Sequence, residues 1–252
     1  MAMVYQSLSA EMLKLKHTLA FWLALVAPLS MVVLESGMWF DMNRRVAPPE
    51  VDSWLWYGQA IYVTWGLLIL PLFVTLETAL VGQLEHAQDH WKHLYALPVP
   101  RGLIYGAKQF AGMYLIGVSC LALPFFTALG GLFLRWARPA VELAGPIPWL
   151  MLFKYALAVY LGAWLIITIQ TWISQRWKSF VVACTAGILL TIAGVFVINA
   201  DWGQYWPWAI AGIIGNKFDE NVLQIAPLLV GSIGGVVTAF FAGWDVVRRD
   251  VL

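Results

Sequence analysis

Residues 57–81 read YGQAIYVTWGLLILPLFVTLETALV and contain one charged residue, Glu77. A run this long and this apolar is typical of a membrane-spanning helix, which needs about 20 residues to cross the hydrocarbon core. A polar segment, QLEHAQDHWKH, follows at residues 83–93. The alternation of such apolar runs with short polar segments determines the fold class of the chain.

The composition of the whole chain leads to the same class. Of the 252 residues, 61% are hydrophobic and 12% are charged, whereas soluble domains carry about 25% charged residues. The net charge of +1 gives no sign of a nucleic-acid partner. Cys120 and Cys184 both lie in apolar runs, so we expect no disulfide framework. We therefore expect an integral membrane protein.

Six apolar runs are long enough to cross a membrane, at roughly 19–38, 57–81, 108–134, 149–173, 180–199 and 225–244. The runs are continuous and do not alternate as the strands of a membrane barrel do, so they predict helices. The sequence predicts an all-α integral membrane protein with six transmembrane helices in one domain, residues 1–252.

The segment before the first run predicts a further helix. Tyr5, Leu8, Met12 and Leu15 recur at intervals of three and four residues, while polar residues fall between them. This pattern indicates an interfacial helix over residues 1–18, lying along the membrane surface. A plain cytoplasmic extension of the first span is the alternative.

The lysine and arginine residues favour one orientation. With the N-terminus in the cytoplasm, nine basic residues fall inside: Lys14, Lys16, Lys92, Arg101, Lys108, Arg176, Lys178, Arg248 and Arg249. Six fall outside: Arg44, Arg45, Arg135, Arg138, Lys154 and Lys217. Since basic residues concentrate on the cytoplasmic side, both termini are predicted to be cytoplasmic.

The polar segment after the second run holds His86, His90 and His93, three of the four histidines. At 100° per residue they share one helix face with Glu85 and Asp89. Imidazoles at this spacing suit zinc or iron, so the alternative function is a membrane-embedded metal-dependent enzyme. We favour a surface helix whose polar side faces water or docks a partner, because such enzymes draw histidines from several loops.

The order of the motifs resembles that of ABC-2 type permeases, and among them the permeases of lantibiotic-immunity exporters. The motifs are AEMLKLK at 10–16, GQLEH at 82–86, WKHLYALPVPR at 91–101, IYGAK at 104–108, QTWISQRWKSF at 170–180 and YWPWA at 205–209. Pro100 stands where a small polar residue is common in that group.

The resemblance implies an ABC-2, type V exporter-like half-transporter with a short cytoplasmic coupling segment at residues 82–101. That segment would fit a groove on a separate ATPase, with contact candidates Glu85, Asp89, His90, His93 and Arg101. Residues 200–224 would form an outer re-entrant or interfacial segment. The implied location is the bacterial cytoplasmic membrane.

The resemblance also implies the partners and the cargo. Two ATPase copies and a second permease copy or paralogue are expected, with ATP and magnesium on the ATPase and no cofactor in this chain. The sequence has no G-x-x-x-x-G-K-[ST] phosphate loop, so we expect a transport subunit and not an enzyme. The exported substrate would be amphipathic: an antimicrobial peptide, a drug or a lipid-like molecule.

Three charged residues fall within the predicted spans: Glu35, Glu77 and Lys154. A charge at the membrane centre costs about 2.5–3.5 kcal/mol on insertion scales. We expect each to reach the interface by snorkelling. The alternative is a polar patch on the translocation path, with Glu35 and Lys154 at similar depth and able to pair.

Small residues and prolines mark further positions in the spans. Gly231, Gly235, Ala239 and Gly243 recur every four residues, which predicts close helix packing within the chain, with a dimer seam as the alternative. Prolines within the spans predict kinks; they are Pro28, Pro71, Pro124 and Pro227.

Overall fold

The computed structural model describes residues 8–9, 11–13, 18–41, 52–86, 100–141, 143, 145–177, 179–218 and 220–248. Over these residues the regular secondary structure is helical throughout. The α-helices are α1 (Leu19–Asp41), α2 (Ser53–Thr64), α3 (Leu70–His86), α4 (Arg101–Ala137), α5 (Trp149–Gly162), α6 (Trp164–Arg176), α7 (Phe180–Val197), α8 (Pro207–Gly215) and α9 (Ile225–Arg248).

The described helices confirm an all-helical membrane fold. Five stretches are long and apolar enough to cross a membrane, namely Leu19–Asp41, Ser53–Gln83, Gly102–Ala137, Phe180–Val197 and Ile225–Arg248. The bent pair α5 and α6 brings the number to six if it counts as one span. The second stretch is continuous because a π-helical turn, Trp65–Ile69, joins α2 to α3.

The helix limits differ from the apolar runs. The second span begins four residues early, at Ser53, because the side chain of Asp52 caps it by accepting the backbone N–H of Trp54 at 2.8 Å. The third begins at Arg101 and not near 108. Lys108 therefore lies two turns inside α4.

The break that divides one described span into two helices is not at a proline. Helices α1 and α4 continue through Pro28 and Pro124, whereas α5 and α6 meet at an angle of 41°. Ala163 at the junction has φ −78° and ψ −8°, away from the α-helical ψ of about −42°. Sequence reasoning placed kinks at prolines and predicted none here.

Helix α9 packs closely on this break. A methyl group at Gly231 would overlap the backbone of Gly162, and one at Gly235 would lie 2.7 Å from Cβ of Trp164. Glycine at both positions lets the two helix backbones touch. The prediction that the small-residue stripe packs within the chain is confirmed at these two positions.

Helix α8 lies inside the bundle. It is nine residues long, begins with Pro207 at its first position, and every residue from 208 to 215 is buried. It contacts α2, the π-helical turn, α5, α7 and α9. This helix belongs to residues 200–224, the segment predicted as re-entrant or interfacial, and it packs among the other helices.

Large apolar side chains cover the outside of the bundle. Leu150, Phe196 and Phe240 are more than 70% exposed, and the apolar windows of α7 and α9 are each only 22% buried. In a chain with several spans such a surface faces lipid or another membrane subunit.

Most of the predicted interfacial helix, residues 1–18, lies outside the described residues. Positions 8–9 and 11–13 are helical. Met12 packs against the main core cluster, whereas Leu13 is 69% exposed. Glu11 is buried. The sequence alone predicted no ionic partner for it.

Candidate functional site

The predicted coupling segment is only partly described. Asp89, His90 and His93 lie outside the described residues, and Glu85 and Arg101 are described in backbone alone. The structure gives the two ends of the segment: α3 ends at His86, and α4 begins at Arg101. Gly82 and Lys108 line one cavity. The end of α3 and the start of α4 therefore lie on the same side of the bundle.

A cluster of buried polar side chains lies inside the bundle next to these helix ends, between α3, α4 and α6. Its members are at most 5% exposed: Glu77, Thr78, Lys108, Gln109, Thr168, Gln170, Thr171 and Ser174. A cavity of about 10 Å³ lies among them, lined by Glu77, Lys108 and Ser174 with their neighbours. That volume holds about one water molecule.

Glu77 is the least satisfied member of the cluster. It is fully buried, and neither carboxyl oxygen has a hydrogen-bond partner in the described part of the chain. Lys108 shares the cavity, yet no ion pair joins the two side chains within 4.0 Å. A buried carboxylate without a hydrogen-bond partner costs stability.

Lys108 instead faces the N-terminal residues. Its Nζ lies 4.0 Å from Glu11 Oε1, and the two side chains are 1% and 11% exposed. This distance is beyond a direct hydrogen bond but within ion-pair range. The pair ties the helical residues before the first span to α4, the helix that leaves the coupling segment.

Amide side chains bridge the same helices. Gln109 Nε2 donates to Thr168 Oγ1 at 3.0 Å, which joins α4 to α6. Gln170 Nε2 donates to the carbonyl of Ala183 at 2.7 Å, which joins α6 to α7. These buried polar contacts join three helices, α4, α6 and α7.

Glu35 lies at the other end of the bundle and is also buried, at 4% exposure. Its Oε1 accepts the indole N–H of Trp39 at 3.2 Å. The neighbouring Ser36 hydroxyl shares a 2.7 Å hydrogen bond with the hydroxyl of Tyr57. The expectation that Glu35 and Glu77 snorkel to an interface is wrong, because both side chains point into the chain.

Lys154 is half-buried and differs from both carboxylates. Its Nζ donates to Asn221 Oδ1 at 2.8 Å and lies 5.7 Å from the centre of the Tyr155 ring. Asn221 has a positive φ of 53°, which asparagine tolerates. The pairing of Lys154 with Glu35 is not formed.

The histidine cluster is not described, since His90 and His93 lie outside the described residues and His86 is described in backbone only. In the part of the chain that the structure covers, no group of three histidine, cysteine, aspartate or glutamate side chains could hold a metal.

Comparison with protein families decides the class. The model described as "ABC-2 family transporter protein" matches residues 7–194, well over half of the chain. The chain belongs to the ABC-2 transporter family. The match runs from residue 7 into α7, and it includes the predicted coupling segment and the polar cluster of this ABC-2 protein. A search of curated proteins and a search of solved structures each found no match.

Membership in the family makes this ABC-2 chain a membrane transport subunit and not an enzyme. Sequence reasoning singled out Glu77 but missed Glu11, Lys108 and the amides around them. The sequence places Lys108 among the cytoplasmic charges and in the motif IYGAK at 104–108, and predicts no burial for it. The available signal was the polar residues Gln109, Thr168 and Thr171, each of which lies within a predicted apolar span.

Proposed function

We propose that this chain is the permease subunit of an ATP-driven exporter in the bacterial cytoplasmic membrane, with both termini in the cytoplasm. The observation that carries the proposal is the family match over residues 7–194. The absence of a phosphate-binding loop from the sequence supports ATP hydrolysis on a separate subunit that holds ATP and magnesium.

The coupling segment would be the docking site. Under this proposal Glu85, Asp89, His90, His93 and Arg101 contact the ATPase, and two ATPase copies serve two permeases, either identical or paralogous. Motion of the segment would pass directly into α3 and α4, because the segment joins the ends of these two helices. Rigid-body movement of such spans is an established way to alternate access.

The polar cluster supports this route. It sits where α3, α4 and α6 meet, and it contains an unsatisfied carboxylate and a water-sized cavity instead of tight apolar packing. The unsatisfied carboxylate and the cavity cost stability. A locally destabilised contact of this kind suits a region whose helices change their contacts during transport. Glu35, Glu77 and Lys154 remain candidates for the translocation path.

The substrate proposal follows the resemblance to lantibiotic-immunity permeases. We propose an amphipathic substrate, an antimicrobial peptide before a drug or lipid-like molecule. The apolar outer surface of the bundle would let such a molecule approach from the membrane.

Co-purification tests the docking proposal. The chain is co-expressed with the ATPase encoded nearest to its gene, and the bound ATPase is measured after affinity capture from detergent. Glu85→Lys combined with Asp89→Lys should abolish capture, while Asp201→Lys, at an exposed position elsewhere in the chain, should leave it unchanged. Equal capture by both variants would refute docking at this segment.

Elemental analysis of the same preparation distinguishes the transport proposal from the metal-enzyme alternative. The transport proposal expects no stoichiometric zinc or iron and no effect of His86→Ala on metal content. One metal per chain, lost with His86→Ala, would reverse the ranking of the two functions.

A further inference from the structure

A groove on the outside of the bundle separates α6 from α9. Its volume is about 370 Å³, and its walls are almost entirely apolar, with Ile169, Trp172, Phe241 and Trp244 among them. This volume lies within the range of about 300–1,000 Å³ that is usual for ligand sites. The groove spans Thr238 to Asp245 on α9, about 10 Å along the helix.

The two walls run parallel and end together. Gly235 of α9 packs against Trp164 and Leu165 near the start of α6. Farther along both helices, Trp172 Nε1 donates to Asp245 Oδ2 at 2.9 Å. This hydrogen bond fixes the polar end of the groove and the tilt of the Trp172 ring.

The polar end also carries basic side chains. The guanidinium of Arg248 lies 3.9 Å from the centre of the Trp244 ring, a cation–π contact that holds it over a residue of the groove wall. Arg248 is exposed, and so is Arg176 in the last turn of α6, one turn beyond Trp172. The carboxylate of Asp245 faces the same end and is held by Trp172.

We propose that this groove, formed by Trp172, Phe241 and Trp244 with their neighbours, binds one anionic phospholipid. An acyl chain would fill the apolar groove, and the phosphate would meet Arg248 and Arg176. Both walls belong to stretches that cross the membrane, alone or as the bent pair, and basic pockets between such helices recognise anionic headgroups. Tryptophan beside arginine places this end at headgroup depth. Under the proposed orientation the lipid belongs to the cytoplasmic leaflet.

The test measures lipid-dependent stability of the purified full-length chain in detergent. The melting temperature is followed while phosphatidylglycerol or phosphatidylcholine with the same acyl chains is added. Phosphatidylglycerol should raise the melting temperature at concentrations where phosphatidylcholine does not. Arg248→Gln should shift the midpoint of that titration about fivefold, the loss expected for one basic residue near anionic lipid.

Arg135→Gln is the matched control. Arg135 is likewise an exposed arginine in the last turn of a long helix, beside the exposed Trp136, but it lies away from the groove. It should leave the titration unchanged. Native mass spectrometry gives a second readout, in which the fraction of chains that retain one phosphatidylglycerol should be lower for Arg248→Gln than for the wild type.

Three results would each overturn the proposal. They are an equal response to the two lipids, an unchanged midpoint in Arg248→Gln, and an equal shift in Arg135→Gln. None of these depends on an ATPase, so the lipid site and the proposed transport function fail independently.

Discussion

Replacing Lys108 by methionine tests the buried ion pair that joins the N-terminal residues to α4. The side chains of Lys108 and Glu11 are 1% and 11% exposed, so the substitution leaves Glu11 in the interior without this cation. Removing one partner of a buried pair typically costs about 3–5 kcal/mol. Because the two charged atoms are 4.0 Å apart, we expect the lower end, about 3 kcal/mol.

The assay is thermal unfolding of the chain in detergent. At about 2–4 °C per kcal/mol for a chain of this size, Lys108→Met should lower the melting temperature by about 6–12 °C. Glu11→Gln combined with Lys108→Met should lose less than the sum of the single changes, with a coupling energy of about 0.5–3 kcal/mol.

The matched control is Lys217→Met. Lys217 is 34% exposed and pairs with the half-exposed Glu220, and exposed pairs contribute about 0–1 kcal/mol. If Lys108→Met melts within 2 °C of the wild type, or if its effect and that of Glu11→Gln simply add, the pair does not hold these segments together.

Further predictions concern packing and the remaining charged residues. Gly231→Ala should lower the free energy of unfolding by about 1–3 kcal/mol, because its methyl group overlaps the backbone of Gly162. Gly37→Ala has open space around it and should raise the free energy of unfolding by about 0.5–1 kcal/mol. Equal melting temperatures for the two variants would contradict the packing of α9. Glu77→Gln should melt no lower than the wild type, since it removes a buried charge without a partner, and a clear drop would show that the carboxylate is satisfied. Lys154→Met should change stability by less than about 1 kcal/mol, measured by the same unfolding assay.

The sequence was sufficient for the helical membrane class because each apolar run is longer than any soluble core requires. It also predicted the close packing of Gly231 and Gly235, since small residues at four-residue spacing have few other uses in a span. These features depend on neighbours along one helix, which periodicity reports directly.

Other features depend on contacts between helices distant in sequence, and the sequence did not show them. The 41° bend at Ala163 has no proline to mark it and coincides with the approach of α9. Lys108 and Glu11 are separated by the whole of the first two spans, so their pairing leaves no local pattern. Glu35 and Glu77 are single carboxylates near the ends of apolar runs, as residues that snorkel are. Only the packing around them shows that they turn inward.

Uptake of a peptide into vesicles of defined composition tests most directly the claim that this chain is the permease of an ATP-driven exporter. The chain is reconstituted alone or with its ATPase, and uptake of a fluorescent cationic amphipathic peptide and leakage of ions are followed after ATP is added. The account predicts peptide movement that requires both ATP and the ATPase, and neither movement nor leakage with the chain alone. Peptide movement or ion conduction by the chain alone would contradict it.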